Sequence, residues 1–408
     1  MKICIIGSGI SGLTVAHHIN KIHDIAVFEA ESWIGGHTHT VSCDGLNIDT
    51  GFIVFNDKNY PKFKGLMDKI GVKYRPTEMS FAVRNDNWNL EYNGNNLNSL
   101  FADRKNLFRP KFYRLLHEIL RFNKQVKSGN YNSTQTLGGF IQDGRFSELF
   151  SHGYLLPMGS AIWSMGIKEM LDFPLEFFAK FFINHGLLEI ANRPQWFTIE
   201  GGSFKYIAQL INGFKDKVHI NSKVDKVIRN NGKVNVFVNQ KWLEFDKVIF
   251  SCHSDQALQL IENPTSLELD VLGSIKYSNN EVVLHYDTAL LPKRKLANAS
   301  WNYLTQNNSD KQATLTYNMN ILQGLKSAKT YCVTLNSTEL IDSNKIISSY
   351  NYSHPVYSRE CLISQQRLSE ISDHNNSYFC GAYWGNGFHE DGVVSGLRVC
   401  EQLGVEIV

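Results

Sequence analysis

The chain has 408 residues, 43% of them hydrophobic and 20% charged, enough for a large core and two domains of ordinary globular composition. Its 41 Lys and Arg against 39 Asp and Glu leave a net charge of +2, so no global field points to nucleic acid and no such partner is expected. Aromatic residues reach 12%, with 25 Phe and 17 Tyr, which suits a large apolar pocket and equally a large core.

The first forty residues carry the strongest signal. Lys2 to Ile6 is a short apolar run, then comes Gly7-Ser8-Gly9-Ile10-Ser11-Gly12, then the apolar stretch Leu13 to Ile19. The order predicts strand, tight turn, helix. Gly7 permits the turn, Gly9 lets a pyrophosphate approach the backbone, and Gly12 lets the helix pack close to the strand. The helix N-terminus turns free amides, Ile10 and Ser11 among them, and a positive dipole toward the phosphates. A second strand, Ile25 to Phe28, ends at Glu29, about 20 residues on, where an acid accepts hydrogen bonds from ribose hydroxyls. An acid there repels a 2′-phosphate, so FAD or NAD is expected over NADP. A glycine-rich turn as plain structure is the alternative.

Glu29-Ala30 continues to a second glycine pair in Ile34-Gly35-Gly36-His37-Thr38-His39-Thr40. An NAD domain has no need of this pair; an extended flavin cofactor needs a second loop near its phosphates. The segment resembles the ExxxxxGG signature of the flavin-containing amine oxidase superfamily, which includes phytoene desaturases and protoporphyrinogen oxidases. The resemblance implies FAD. That family usually carries Arg or Lys after the glycine pair, where this chain has His37.

Cys43 to Asn56 is expected to form a hairpin returning to the cofactor. By resemblance Gly51 and Phe52 would lie near the flavin; a hairpin turn and nothing more is the alternative. From about 60 to 200 the βαβ rhythm is lost. Arg104 to Lys124 interleaves Leu107, Phe108, Tyr113, Leu115, Leu116, Ile119, Leu120 and Phe122 with seven Lys and Arg. It predicts a basic amphipathic helix beginning near Pro110: a surface helix with one buried face, or a contact with a membrane surface. Tyr154 to Leu188 is aromatic but interrupted by charges, which predicts a helical wall around a pocket and excludes a transmembrane helix.

Glu200-Gly201-Gly202-Ser203 opens a helix expected over Phe204 to Phe214. Val218 to Val227 is expected as one strand. By resemblance it passes under the adenine, with backbone contacts from Val224. Residues 234–238 and 242–245 predict a hairpin, and Lys247 to His253 a buried strand. Between about 256 and 365, Glu281 to Asp287 and Ala313 to Tyr317 alternate as antiparallel strands do. Many amine oxidases carry a lysine in the strand matching the first of these. There is none within 281–287, which counts against simple amine oxidation.

Ser377 to Gly396 predicts strand, loop and helix. It resembles the superfamily's second FAD motif, with Gly381, Gly392 and Val393 at the cofactor and the helix N-terminus facing the flavin. The family's acid after the first glycine is replaced by Ala382. Gly35 to Thr40, Asp49 to Asn56, Leu156 to Gly159, Asn184 to Leu187, Arg193 to Trp196, Ala299 to Tyr303 and Gly387 to Gly392 together look like one bacterial subfamily of FAD-binding, amine-oxidase-like proteins. It is similar to the flavin domain fused to plant cyclopropane fatty acid synthases. That neighbourhood implies a lipid acyl substrate.

The seven cysteines are dispersed, without CxxC or zinc spacing, so reduced thiols and no metal are expected. The first strand begins at residue 2, which leaves no room for a signal peptide, and a cytoplasmic protein is expected, peripheral to a membrane if 104–124 docks on one. The expected architecture is α/β: a Rossmann-like FAD domain over 1–60, 201–255 and 366–408, and an α+β substrate domain with an antiparallel sheet over 61–200 and 256–365. The leading function is FAD-dependent dehydrogenation or oxidation of an apolar, fatty-acyl-like substrate by hydride transfer. Amine oxidation releasing hydrogen peroxide and flavin binding without turnover are the alternatives. His389, then His185, are the candidate bases, with core packing as the alternative for each. Trp163, Trp196, Trp301, Tyr383 and Trp384 are the candidate pocket residues.

Overall fold

In the computed structural model, residues 1–163, 165–189, 193–305 and 314–406 are described. Alternate residues of the first strand, Lys2–Ile6, point to opposite faces, and both faces are covered. Ile3 and Ile5 pack with helices Ile10–Ile19 and His389–Gln402, while Cys4 and Ile6 join the core beneath a three-stranded sheet. The strand is the middle of five parallel strands in the order Val218–His219, Asp24–Phe28, Lys2–Ile6, Lys247–Phe250, Ser377–Phe379. Burial on both faces explains why these strands are apolar runs without alternation. The strand order reverses at Lys2–Ile6, so a crevice opens at the carboxyl ends of this strand and Lys247–Phe250.

The expected strand from Val218 to Val227 is two strands in two sheets. Val218–His219 pairs with Asp24–Phe28, and Val224–Asn230 begins the three-stranded antiparallel sheet with Lys233–Val238 and Lys241–Phe245. Between them Asn221 takes a φ of 50°, a conformation no strand residue holds. The turns of that sheet follow local chemistry: Asn231-Gly232 has φ 52° and 76°, and Asn239-Gln240 48° and 61°. Two successive positive φ values match the right-handed twist of a two-residue hairpin.

The expected hairpin over 43–56 is also redrawn. Thr40–Cys43 pairs with Leu46–Asp49, turning at Asp44-Gly45. Phe55–Asn56 belongs instead to a small antiparallel sheet with Trp196–Ile199 and Tyr74–Thr77. The helix after the Gly201-Gly202 pair ends at Leu210, short of Phe214.

A seven-stranded sheet runs Ile346–Val356, Lys276–His285, Cys332–Leu335, Thr314–Asn318, Trp301–Thr305, Phe81–Asn85, Leu90–Asn93. Its pairings are antiparallel except where Trp301–Thr305 runs parallel to Phe81–Asn85. Ala313, expected to begin one strand, lies outside the described residues. The helical wall comprises Leu156–Trp163, Ile167–Leu171 and Leu175–Asn184, entered through a π-helical turn at Ser151–Leu155. Helix Pro110–Lys127 starts at its proline, as expected, after a 3₁₀ turn at Arg104–Phe108. No helix among the described residues is long and apolar enough to cross a membrane.

Candidate functional site

The turn after the first strand is shaped for an anion. Gly7 takes φ +105°, a region closed to most side chains. A Cβ on Gly12 would collide with the Gly7 carbonyl and Ser251 Oγ, which itself donates to the Ile6 and Gly7 carbonyl oxygens at 2.7 Å each. A Cβ on Gly9 would meet nothing within 4 Å, so open space lies where a diphosphate would approach. Helix Ile10–Ile19 has Gly9 as its N-cap and no side chain capping it, leaving its first amides for a ligand.

Glu29 is buried at the end of the second strand and braces this turn. Ser8 donates its amide and hydroxyl to Glu29 Oε2 at 2.9 and 2.6 Å, and the Glu31 amide donates to Oε1 at 2.9 Å. Ala30 beside it is exposed. The chain returns past this edge: the amides of Asn221 and Ser222 donate to the carbonyls of Glu31 and Glu29. Buried Val224 follows, at a register shift that runs to Lys226.

The second glycine pair closes over the first turn. The Gly35 amide donates to Ser8 Oγ at 3.1 Å, and a Cβ on Gly36 would come 3.2 Å from Gly9 Cα. The Phe52 amide donates to the His37 carbonyl at 2.8 Å, and Gly51 passes so close to that carbonyl that a Cβ would overlap it. His37 then meets the seven-stranded sheet, with ring centroids 5.2 Å from Tyr352, 5.5 Å from His354 and 5.9 Å from His253. Burial lowers the pKa of all three histidines, to about 3 for His253 and His354. His37 is thus no permanent cation, where the family that the segment resembles usually carries Arg or Lys.

His389 opens the C-terminal helix and is stacked flat on Phe52, 3.6 Å between centroids. Its Nε2 lies 2.9 Å from Thr38 Oγ1 and 3.1 Å from the Tyr206 hydroxyl, and those two hydroxyls also bond each other. Burial, then His37, holds its pKa well below the usual range. His185 caps helix Leu175–Asn184 and stacks on Phe181 at 3.8 Å. Its Nδ1 lies 3.0 Å from the Phe181 carbonyl oxygen. A carbonyl only accepts, so Nδ1 carries the proton and Nε2 presents a lone pair. Burial lowers this pKa to about 4.

These histidines meet through Phe388, the N-cap of the last helix, whose ring lies 5.4 Å from Phe181 and 5.5 Å from His185. Trp163 packs 4.8 Å from Phe181 and 6.1 Å from Phe177, and Phe177 stacks on Tyr357 at 5.2 Å. Tyr383 and Trp384 lie 5.0 Å apart after the last parallel strand. The Gly381 amide donates to Ser395 Oγ at 2.6 Å, tying that loop to the helix bearing Gly392 and Val393. A Cβ on Gly392 would come 2.6 Å from Ile10, so the two cofactor motifs touch there.

The expected pocket set is not all in one place. Tyr383 and Trp384 precede the C-terminal helix, and Trp163 reaches its N-cap, Phe388, through Phe181. Trp301 packs instead against Tyr317 at 5.0 Å, and Trp196 against Tyr60 at 6.4 Å in the small sheet. Trp163 Nε1, Tyr357 Oη, Tyr383 Oη and Trp384 Nε1 are buried with no hydrogen-bond partner among the described residues. Sequence reasoning missed Ser8, Tyr206, His253, His354, Tyr357 and Phe388. Ser8 and His253 were readable, one inside the glycine turn and the other at the carboxyl end of a parallel strand. Tyr206 and Tyr357 had no local signal. No group of three or more His, Cys, Asp or Glu among the described residues is arranged to hold a metal ion.

A family model described as flavin containing amine oxidoreductase matches residues 10–319. Mitochondrial protoporphyrinogen oxidase of Nicotiana tabacum is 29% identical over 149 residues, 35% of this chain, and the matched stretch spans only 28% of that relative's length. Among solved structures, a CLA-producing fatty acid isomerase from P. acnes is 13% identical with a TM-score of 0.70, covering 98% of each chain. A putative protoporphyrinogen oxidase from Exiguobacterium sp. 255-15 is 15% identical with a TM-score of 0.71, covering 100% of this chain and 99% of its own. Cyclohexylamine oxidase from Brevibacterium oxydans IH-35A is 13% identical with a TM-score of 0.70, covering 99% of each. At such identities these likenesses show the fold.

Proposed function

The chain belongs to the flavin-containing amine oxidoreductase family, and on that premise we propose that it binds FAD and dehydrogenates an apolar, fatty-acyl-like substrate. The residues fit that cofactor: an uncapped helix N-terminus over open space at Gly9, and a buried carboxylate at Glu29. The cofactor domain in this proposal is 1–60, 201–255 and 366–408, and 61–200 with 256–365 hold the substrate. Bound there, FAD supplies the acceptor for a hydride. The amides of Ile10, Ser11 and Gly12 hold the diphosphate, Glu29 the ribose, and the 381–393 segment the far end of the ring system.

One observation carries the substrate class. The wall that meets the last helix is aromatic, with Trp163, Phe177, Phe181 and Phe388 in ring contact across it, and it contains buried donors without partners. Buried polar groups are normally satisfied, so these donors are fitted to a ligand's acceptor within an apolar setting. His185 is the proton acceptor in this proposal, because its Nε2 is bare and its tautomer fixed. His389, held by Thr38 and Tyr206 against Phe52, is the positioning residue.

The test is anaerobic flavin bleaching with matched panels of long-chain acyl compounds and amines. The proposal expects bleaching by acyl chains, and in His185→Gln a reduction rate about 10²-fold lower with the acid limb of the pH profile removed. Bleaching by amines alone would transfer the chain to amine oxidation. Acyl-chain reduction at the wild-type rate in His185→Gln would remove that residue from the chemistry.

A further inference from the structure

The two most exposed large apolar side chains among the described residues, Phe108 and Leu97, lie on one basic face. Phe108 is 87% exposed and Leu97 75%, and Leu120, Tyr113 and Leu107 are between 42% and 50% exposed. Contacts tie together the segments that carry Leu97, Tyr113 and Leu107. Phe101, one turn from Leu97, packs 6.2 Å from Tyr113, and the Tyr113 hydroxyl donates to the Leu107 carbonyl at 3.0 Å. Leu120 lies two turns on from Tyr113, on the same side of helix Pro110–Lys127.

The charge on this face is one-signed. Residues 97–128 contain eight Lys and Arg against two acids, Asp103 and Glu118. Both acids are buried, at 3% and 4% exposure: Asp103 caps the 3₁₀ turn and pairs with Arg109 and Arg294, and Glu118 accepts from Ser147 and pairs with Arg114. Lys105, Lys111 and Lys124 are exposed and make no ion pair among the described residues. An apolar patch rimmed by unpaired lysines marks a contact surface, and the sign of the charge fits an anionic partner.

We propose that this face, Leu97, Leu107, Phe108, Tyr113 and Leu120 with Lys105, Lys111 and Lys124, docks the protein on an anionic lipid surface. Phe108 and Leu97 enter the headgroup layer, and the lysine stems lie along it with their ammonium groups on lipid phosphates. The contact is peripheral, and it stands whatever the substrate is.

The experiment is co-sedimentation of the flavin-loaded protein with vesicles of phosphatidylglycerol and phosphatidylcholine in equal parts, against pure phosphatidylcholine. At low salt the mixed vesicles should take down the protein and the pure ones should not, and binding should fall as salt rises. Replacing Lys105, Lys111 and Lys124 together by Gln should weaken partition about 100-fold, roughly fivefold for each lysine. Leu97→Ser with Phe108→Ser should abolish it, while flavin absorbance and melting temperature stay as in the wild type. Absence of sedimentation with mixed vesicles at low salt overturns the proposal, as does unchanged partition in either variant. Concentration-dependent dimerisation that Phe108→Ser abolishes, without vesicle binding, would assign the face to a second copy of the chain.

Discussion

In the proposed site Glu29 does two jobs with one carboxylate. It accepts three hydrogen bonds from the turn it faces, two from Ser8 and one from the Glu31 amide, and two oxygens still have lone pairs for ribose hydroxyls. Glu29→Ala should therefore cost charge-assisted bonds worth about 1.5–3 kcal/mol, roughly 10- to 150-fold in FAD affinity. Glu29→Gln, which keeps one acceptor, should lose less. Calorimetric titration of the apoprotein with FAD reads both, and equal affinity in Glu29→Ala and wild type would mean that the carboxylate only shapes the turn. The pattern of Gly7, Gly9, Gly12 and Glu29 was legible because strand, turn and helix are neighbours in sequence. The setting of His389 was not. Its Nε2 partners, Thr38 and Tyr206, are 351 and 183 residues away, and no local pattern encodes such a meeting.

At the scale of elements, the proposed cofactor site depends on two helices lying close enough to share it. Helices Ile10–Ile19 and His389–Gln402 approach through Gly392 and Gly396. A Cβ on Gly396 would stand 2.7 Å from the Ser11 carbonyl oxygen and 3.1 Å from Thr14 Cβ. The first of these is backbone and cannot swing aside, so Gly396→Ala must push the helices apart. A destabilisation of about 1–3 kcal/mol is expected, with FAD released more readily, because the shift opens the turn itself. Thermal melting with and without added FAD measures both effects; an unchanged melt would show that the helix pair yields without cost. The first helix was legible from the glycine turn before it and its apolar run, and the last from the resemblance of 377–396 to a second FAD motif. The break between Val218–His219 and Val224–Asn230 was not, because Asn221 in a left-handed conformation interrupts a run whose composition suits a strand throughout. Nor was the parallel pairing of Phe81–Asn85 with Trp301–Thr305, which joins segments some two hundred residues apart. Pairing over such a distance is settled by which faces need covering, and a local period is silent about that.

The molecule as a whole buries more neutral histidine than a composition count suggests, and this sets how it responds to acid. Burial lowers His185 and His285 to about 4, and His253 and His354 to about 3, from a usual 6.5. The unfolded chain takes up these protons as pH falls through 6.5, and the folded chain does so only near 4 and 3. Stability from these groups is therefore complete above pH 6.5 and is lost as pH falls below it, by about 1.4 kcal/mol per pH unit for each histidine that stays neutral. Asp49 and Asp391, raised to about 6 by burial, act in the other direction between pH 6 and 3.8, since the folded state takes their protons first. His37 and His389 are lowered too, and Glu390 is raised; the histidines remain the larger set, so acidification brings a net loss and the denaturant midpoint should be lower at pH 5 than at pH 7. His285 isolates the cause, being fully buried and far from the cofactor turn, with Nε2–H donated to Thr334 Oγ1 at 2.7 Å and Nδ1 accepting from the Asp287 amide at 3.1 Å. His285→Gln should be less stable than wild type at pH 7, having lost this pair of bonds, yet its stability should fall less steeply between pH 6.5 and 5, by about 1.4 kcal/mol per pH unit. The slope separates titration from packing: a variant that is uniformly weaker with an unchanged slope would show that His285 already carries its proton in the folded protein.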